Sequence, residues 1–427
     1  MSTQATSTAA DPTSIAINVS NRQRWTIVWL LFFASLINYF DRQTLSFALP
    51  LISAEFQLTK PQQGWLTSAF FWSYALMQIP MGIWVDRANL RWLYAGAFVL
   101  WSLAQATTGL AGTIGALIVC RMVLGLGESI YLVGGTKVVS LFFPMAQRGL
   151  PCGVFDAGTR TGLVLEGLII GYLLTHFGWR NTFLMVGLAA LVWLLPWFLA
   201  TPRQMRDTSV TPGTSKFSWK DAWALVRNRN MLGVLVGFFC FDYFWYFLIG
   251  WLPSYFVDVR KMNIMDAAIR AAVPMMVFGL CLPLGGWLAD HFIRRGADPA
   301  RTRKTIISVG FLSGLLVIPA AMTSSPDVAL MLIAGSCVVG LSGANQLLLL
   351  QACAPSKQVG LAVGIYNFVG NMAGIVAGII NGYVILWSGG SYTLAFVVAA
   401  VMLAASTLSY WFIVGPMREP PREPLTS

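Results

Sequence analysis

Twelve times along this chain a run of about 18 or more mostly apolar residues is followed by a short polar break. A helix advances about 1.5 Å per residue, so some twenty such residues cross the roughly 30 Å hydrocarbon core of a bilayer. Lipid offers the backbone no hydrogen-bond partners, which restricts spanning segments to helices and closed barrels, and continuous runs of this length are helical. The expected spans are 25–51, 65–85, 92–111, 115–141, 149–175, 181–201, 231–257, 267–289, 305–324, 328–353, 358–387 and 391–415. Charged residues are 11% of the 427, where a soluble domain carries about 25%. An all-α polytopic membrane protein with twelve transmembrane helices follows.

The longest hydrophilic interruption, Thr201 to Asn230, divides the spans six and six. The expected organisation is a disordered cytoplasmic tail (1–24), a six-helix bundle (25–201), a cytoplasmic linker (202–230), a second, pseudo-symmetric six-helix bundle (231–415) and a short cytoplasmic tail (416–427). Assigning loops to alternate sides puts nineteen lysines and arginines with the termini and the linker, and five (Lys60, Arg180, Arg260, Lys261, Arg270) opposite. By the positive-inside rule the arginine-rich side is cytoplasmic, in a cell or bacterial inner membrane. The net charge of +11 therefore reads as topology and not as nucleic-acid binding. The N-terminus lacks the basic-then-apolar order of a cleaved signal peptide.

Enzyme chemistry has little to work with here. The six cysteines lie within apolar segments without C-x-x-C spacing, and His176 and His291 are the only histidines. No metal site, disulfide framework, cofactor motif or nucleophile–base pair is expected.

Several charges stand where charge is costly. In Ile37-Asn38-Tyr39-Phe40-Asp41-Arg42-Gln43 a carboxylate and a guanidinium interrupt the first span, and the fourth carries Arg121 and Glu128. A charge at bilayer depth costs about 2.5–3.5 kcal/mol on insertion scales, and such residues face a bundle interior or a wet pathway. Arg121 and Glu128 are two helical turns apart, on one face and about 10 Å from each other. That is too far for a direct bridge and leaves room for a ligand or for Asp41 and Arg42. Arginine keeps its charge and offers a carboxylate a two-pronged fork, whereas a buried carboxylic acid can carry a proton. The plainer alternative is an ion-pair network that only holds the first and fourth helices together. Asp156 and Arg160 in the fifth span are four apart and can close on each other, or leave Arg160 free for a diacid. Glu166 follows on the same span. Asp242, beside Tyr243 and Tyr246, is expected in a structural hydrogen bond, with a gate as the alternative. The second half contributes amides: Asn345, Gln346, Gln351, Asn367 and Asn371.

There is also an internal repeat. Gly82-Ile-Trp-Val-Asp86-Arg87, leading to Arg91, ends the second span, and Gly286-Trp-Leu-Ala-Asp290-His291 ends the eighth. Each is G-x-x-x-D before basic residues, at equivalent places on the arginine-rich side, and suits close helix approach and a conformational role.

With these patterns the chain resembles the major facilitator superfamily throughout, apart from its tails. It is most similar there to the anion:cation symporters, among them bacterial galactonate, hexuronate and glucarate transporters. The motifs are Asn38-Tyr39-x-Asp41-Arg42, Arg121-Met-Val-Leu-Gly125-Leu-Gly-Glu128, Phe247-Leu-x-x-Trp251-Leu-Pro253-x-Tyr255 and Asn367-x-x-Gly370-Asn371-x-x-Gly374. The resemblance implies a proton-coupled symporter of organic anions working by alternating access. It implies proton coupling at Asp41 and Glu128, and substrate contacts from Arg42, Arg121, Tyr39, Tyr74 and Asn371. Thr159, Arg160, Asn345, Gln346 and Asn367 join the expected pocket. Asp156 stands where the family has a small polar residue, and Arg160 has no counterpart there. The expected cargo is a sugar acid, with an aromatic or small dicarboxylate as the alternative and drug efflux further behind. A monomer is expected, with protons, the organic acid and the bilayer as its only partners.

Overall fold

The computed structural model describes residues 17, 19–143, 149–206, 219–354 and 359–415; within these, the side chains of Asp86 and Arg160 and a few others lie outside the description. The described chain is helical and holds no strand. The spanning helices are α1 (Asn21–Phe56), α2 (Lys60–Arg87), α3 (Leu90–Thr108), α4 (Ile114–Phe142), α5 (149–177), α6 (179–200), α7 (Arg229–Asp258), α8 (Ile264–Arg294), α9 (Pro299–Met322), α10 (Pro326–Cys353), α11 (Val359–Trp387) and α12 (Thr393–Ile413). A short helix, Trp219–Arg227, precedes α7.

The helices overrun their apolar runs because polar caps, not hydropathy, end them. Ser20 accepts from the Gln23 amide to start α1, and Gln57 closes it in the left-handed region at φ 52°. At 36 residues, or about 54 Å, α1 outreaches the bilayer core at both ends. Between α5 and α6 the chain turns on Gly178, whose φ of 71° is open to glycine and costly for other residues. Among the described residues, eight helical stretches are long and apolar enough on their own to cross a membrane. Helix α1 is not one of them, since Asn38, Asp41, Arg42 and Gln43 occupy its middle.

Helices α1–α6 and α7–α12 form two six-helix bundles whose packing repeats. A Cβ at Gly125 of α4 would lie 2.4 Å from the Phe70 carbonyl oxygen of α2, and one at Gly340 of α10 would lie 2.5 Å from that of Phe278 on α8. The bundles meet along α2 with α11, α5 with α8, and α1 with α7. At the end away from the arginine-rich loops they touch backbone to backbone, so that a Cβ at Gly64 of α2 would stand 2.3 Å from the Gly378 oxygen of α11. Towards the arginine-rich end, Gly153 on α5 and Gly364 on α11 meet nothing within 4 Å. The molecule is thus closed at the end away from the arginine-rich loops.

Candidate functional site

Four charges converge between α1 and α4. Arg42 Nε donates to Glu128 Oε2 at 2.7 Å. Its guanidinium carbon lies 4.5 Å from the Tyr74 ring centre, 4.7 Å from Phe70 and 5.5 Å from Tyr39, a cation held among aromatic faces. Arg42 Nη2 has no partner. Glu128 and Asp41 are each 0% exposed. Neither Asp41 oxygen has a hydrogen-bond partner, although Glu128 and Arg121 are within electrostatic reach. Asn38, one turn before Arg42 on α1, is buried and close to Glu128 but does not reach hydrogen-bond geometry with it.

Arg121 makes its hydrogen bonds mainly to backbone oxygens. It is 2% exposed, and its Nη atoms donate to the backbone oxygens of Asp41 (3.3 and 3.4 Å) and Arg42 (3.0 Å) and to Gln105 Oε1 (3.4 Å). In this state it fastens α1 to α4 from below and contributes its charge, while Arg42 presents the more accessible guanidinium.

Beside these charges is a narrow cavity bounded by both bundles. Tyr39, Arg42, Gln43 and Ser46 of α1, Thr67, Phe70 and Phe71 of α2, and Arg121 of α4 line one side. Trp245, Tyr246, Ile249, Gly250 and Trp251 of α7, with Gly374 and Gly378 of α11, line the other. Its volume is about 60 Å3, well under the roughly 300 Å3 at which small-molecule pockets begin, so a six-carbon acid needs these walls to part. Gln43, Ser46 and Thr67 were not singled out as site residues from the sequence. Gln43 and Ser46 follow Tyr39 and Arg42 at helical spacing, which is the signal that marks them.

Other expected positions are placed elsewhere. Asn345 is fully buried, donating to the oxygens of Gly285 and Leu341 and accepting from Arg303. Gln346 is equally buried, bonded to Ser342 and to the Tyr410 hydroxyl. These amides hold the second bundle together and do not line the cavity. A buried amide is stable only when its donors and acceptors are met, and packing partners meet them here as well as a ligand would. Asn371 Nδ2 donates to the Asn367 oxygen at 2.7 Å, and Thr159 Oγ1 to that of Asp156 at 2.7 Å. Asp242 makes no structural hydrogen bond among the described residues. The Asp156–Arg160 pairing lies outside the described side chains, as does Asp86.

Of the conformational candidates, Arg91 donates to the Thr201 and Phe198 oxygens (2.8 and 2.9 Å), tying α3 to the end of α6. Asp290 lies 3.6 Å from Arg303, within the second bundle. Gly286 faces Ala344 at 3.6 Å from where a Cβ would stand, Gly82 has no such neighbour, and Arg87 is exposed. Among the described residues no group of three or more His, Cys, Asp or Glu is placed to hold a metal ion.

A two-bundle helical membrane protein with buried charges at the bundle interface is a multi-pass transporter in its architecture. Residues 31–378 match the Major Facilitator Superfamily, and the chain belongs to that family. It is 28% identical over 418 residues to a probable L-galactonate transporter of Escherichia coli (strain K12), covering 94% of this chain and 91% of that one. It is 27% identical over 422 residues to a probable galactarate/D-glucarate transporter of Bacillus subtilis (strain 168), covering 92% of each. Its fold matches the crystal structure of a bacterial homologue of the human lysosomal transporter Spinster, in an inward-facing and occupied conformation, with a TM-score of 0.78 at 20% identity over 92% of this chain and 97% of that one. These relatives are consistent with the anion:cation symporters, and they are transporters, not enzymes.

Proposed function

We propose that this chain imports an organic anion together with a proton by alternating access, and that the anion is a sugar acid: a hexonate, hexuronate or aldarate. The observation that carries this reading is the buried pair of acids beside the Arg42 guanidinium, which lines the cavity between the bundles. Arg42, with an unpartnered Nη2, takes the carboxylate, and Arg121 holds α1 in place and adds positive potential. Asp41 and Glu128 take up the proton while the site faces outward and release it inward. Similarity to galactonate and galactarate/glucarate transporters supports the sugar acid. We place residues 25–201 and 231–415 as the two moving units, the arginine-rich side in the cytoplasm of an inner membrane, and the working form as a monomer.

The ring-lined walls of Phe70, Phe71, Trp245, Tyr246 and Trp251 favour a second reading, an aromatic carboxylate stacked between them. One experiment decides between the two. Purified protein in liposomes is given labelled galactonate, glucuronate, glucarate and phthalate, with and without an inward proton gradient. Accumulation of a sugar acid that collapses with the gradient is the expected result. Accumulation of phthalate alone replaces the cargo, and gradient-independent uptake removes the proton.

A further inference from the structure

One helical turn beyond the cavity lining, in the second bundle, lies an acid that the function above does not use. On α7, Trp245, Tyr246, Ile249 and Gly250 line the cavity. Asp242 stands three and four residues before the first two, so all five share one helix face. On α11, Gly374 and Gly378 line the same cavity, and Gly370 lies one turn before Gly374. The two extrapolated positions meet: a Cβ at Gly370 would lie 2.2 Å from Asp242 Oδ2. Asp242 and Gly370 therefore form the layer next to the cavity lining, about 5 Å along the helix axis towards the arginine-rich end. Asp242 is 7% exposed and has no hydrogen bond or ion pair among the described residues. Tyr246 stands between the layers, close enough to feel the charges of both Arg42 and Asp242.

We infer that Asp242 is a specificity-determining residue that receives the hydroxylated end of the substrate while Arg42 holds the carboxylate. A buried carboxyl group without a partner is costly, and a ligand hydroxyl relieves that cost where an alkyl end does not. Of the second-bundle amides, Asn345 and Gln346 are committed to internal bonds, whereas Asp242 is a carboxylate aligned with the cavity face of α7. Gly370 is required there because a side chain would displace the carboxylate. The inference rests on the organic-anion reading above and selects polyhydroxy acids within it.

The test is counterflow of labelled galactonate by the full chain in liposomes, with unlabelled galactonate and 6-deoxygalactonate as competitors. The two differ by one far-end hydroxyl, whose hydrogen bond is worth about tenfold in affinity. Wild type should show that preference. Asp242→Ala should lower it to threefold or less (on the order of the weakest such bonds), Gly370→Ala should do the same by displacing the carboxylate, and Asp242→Asn should keep most of it. Equal weakening of both acids in Asp242→Ala and Gly370→Ala, with the ratio intact, would indicate a structural role and overturn the inference. If Asp242→Ala does not fold, Gly370→Ala decides. A wild type that carries galactonate without preferring it over the 6-deoxy acid overturns this inference alone. A wild type that carries no sugar acid at all overturns the parent reading with it.

Discussion

Arg42 on α1 and Glu128 on α4 are joined at 2.7 Å, whereas Asp41, the neighbour of Arg42 in sequence, has no partner for either carboxylate oxygen. The two acids are therefore not equivalent. Asp41→Asn mimics a protonated acid and removes no hydrogen bond. Glu128→Gln also removes the charge that assists the bond to Arg42. Both variants are expected to lose proton-driven accumulation. Asp41→Asn should still exchange substrate across the membrane near the wild-type rate, and Glu128→Gln more slowly. Counterflow beside pH-driven uptake on the same purified proteins is the measurement. Full accumulation in both would move the proton to another acid, with Glu166 next because its Oε2 is also buried and unpartnered.

The two arginines should differ in what they contribute to binding. Arg42 lines the cavity among aromatic rings, while Arg121 is turned into the backbone of α1. Arg42→Gln is expected to abolish substrate binding and also to lower the melting temperature, because it leaves the fully buried Glu128 without its ion-pair partner. Arg121→Gln leaves buried carbonyl acceptors of α1 unmet, a loss of about 1–3 kcal/mol. It should lower the melting temperature of the detergent-solubilised protein even without substrate, and Arg121→Lys should restore only part, since an ammonium cannot span the same acceptors. Equal melting of Arg121→Gln and wild type would return Arg121 to a pure binding role.

The spans were legible because the bilayer sets a length that few other structures need. The charged cluster was legible because Asp41, Arg42, Arg121 and Glu128 interrupt runs that are otherwise almost uncharged, with Lys137 near one end of the fourth. What those charges bond to was not, since the acceptors of Arg121 are carbonyl groups that every residue has. Asn345 and Gln346 show the same limit, as a polar side chain in an apolar helix suits a pocket and a packed core equally. Gln43 and Ser46 were within reach of periodicity alone, on the face of α1 that carries Tyr39 and Arg42. Cross-bundle pairs such as Lys60 and Asp258, 198 residues apart, depend on how the bundles meet and leave no local trace.

At the protruding end of α1, beyond its apolar run, Glu55 accepts from Arg180 at 2.5 Å and from the Trp179 indole at 2.7 Å. The hydrogen bond from Arg180, followed by that from Trp179, holds its carboxyl below the ordinary glutamate range. A depressed folded-state pKa means that the bond stabilises above the unfolded glutamate pKa of about 4.3 and is lost as pH falls through the lower folded value. Wild type should therefore lose melting temperature relative to Glu55→Gln between pH 6 and pH 3, with no difference in slope above pH 6. Because the pair is well exposed, the effect should be small and shrink in high salt. Parallel curves for the two proteins across that range would remove Glu55 from the acid response.

The closed end of the molecule is latched by a cluster that crosses the bundles. Lys60 Nζ at the start of α2 is bonded to the Asp258 carboxylate at the end of α7, and to the Tyr392 hydroxyl at 3.0 Å. That hydroxyl in turn donates to Asp258 Oδ2 at 2.8 Å. Opening this end must break the cluster, so it biases the equilibrium between the two facing states. The lysine and aspartate side chains are 21% and 34% exposed, and a screened pair of this kind contributes about 0.5–1 kcal/mol. Removing it should shift the ratio of closed to open forms about two- to fivefold, as that free energy dictates. Lys60→Gln and Asp258→Asn are each expected to raise, by that factor, the rate at which a cysteine at Thr67 is labelled from the latched side in a cysteine-free background. The exchange Lys60→Asp with Asp258→Lys should recover part of the closure, and Tyr392→Phe should have a weaker effect because it leaves the ion pair in place. Unchanged labelling in both single variants would leave closure to the backbone contact of Gly64 with Gly378, and Gly64→Val would then be the variant that opens this end.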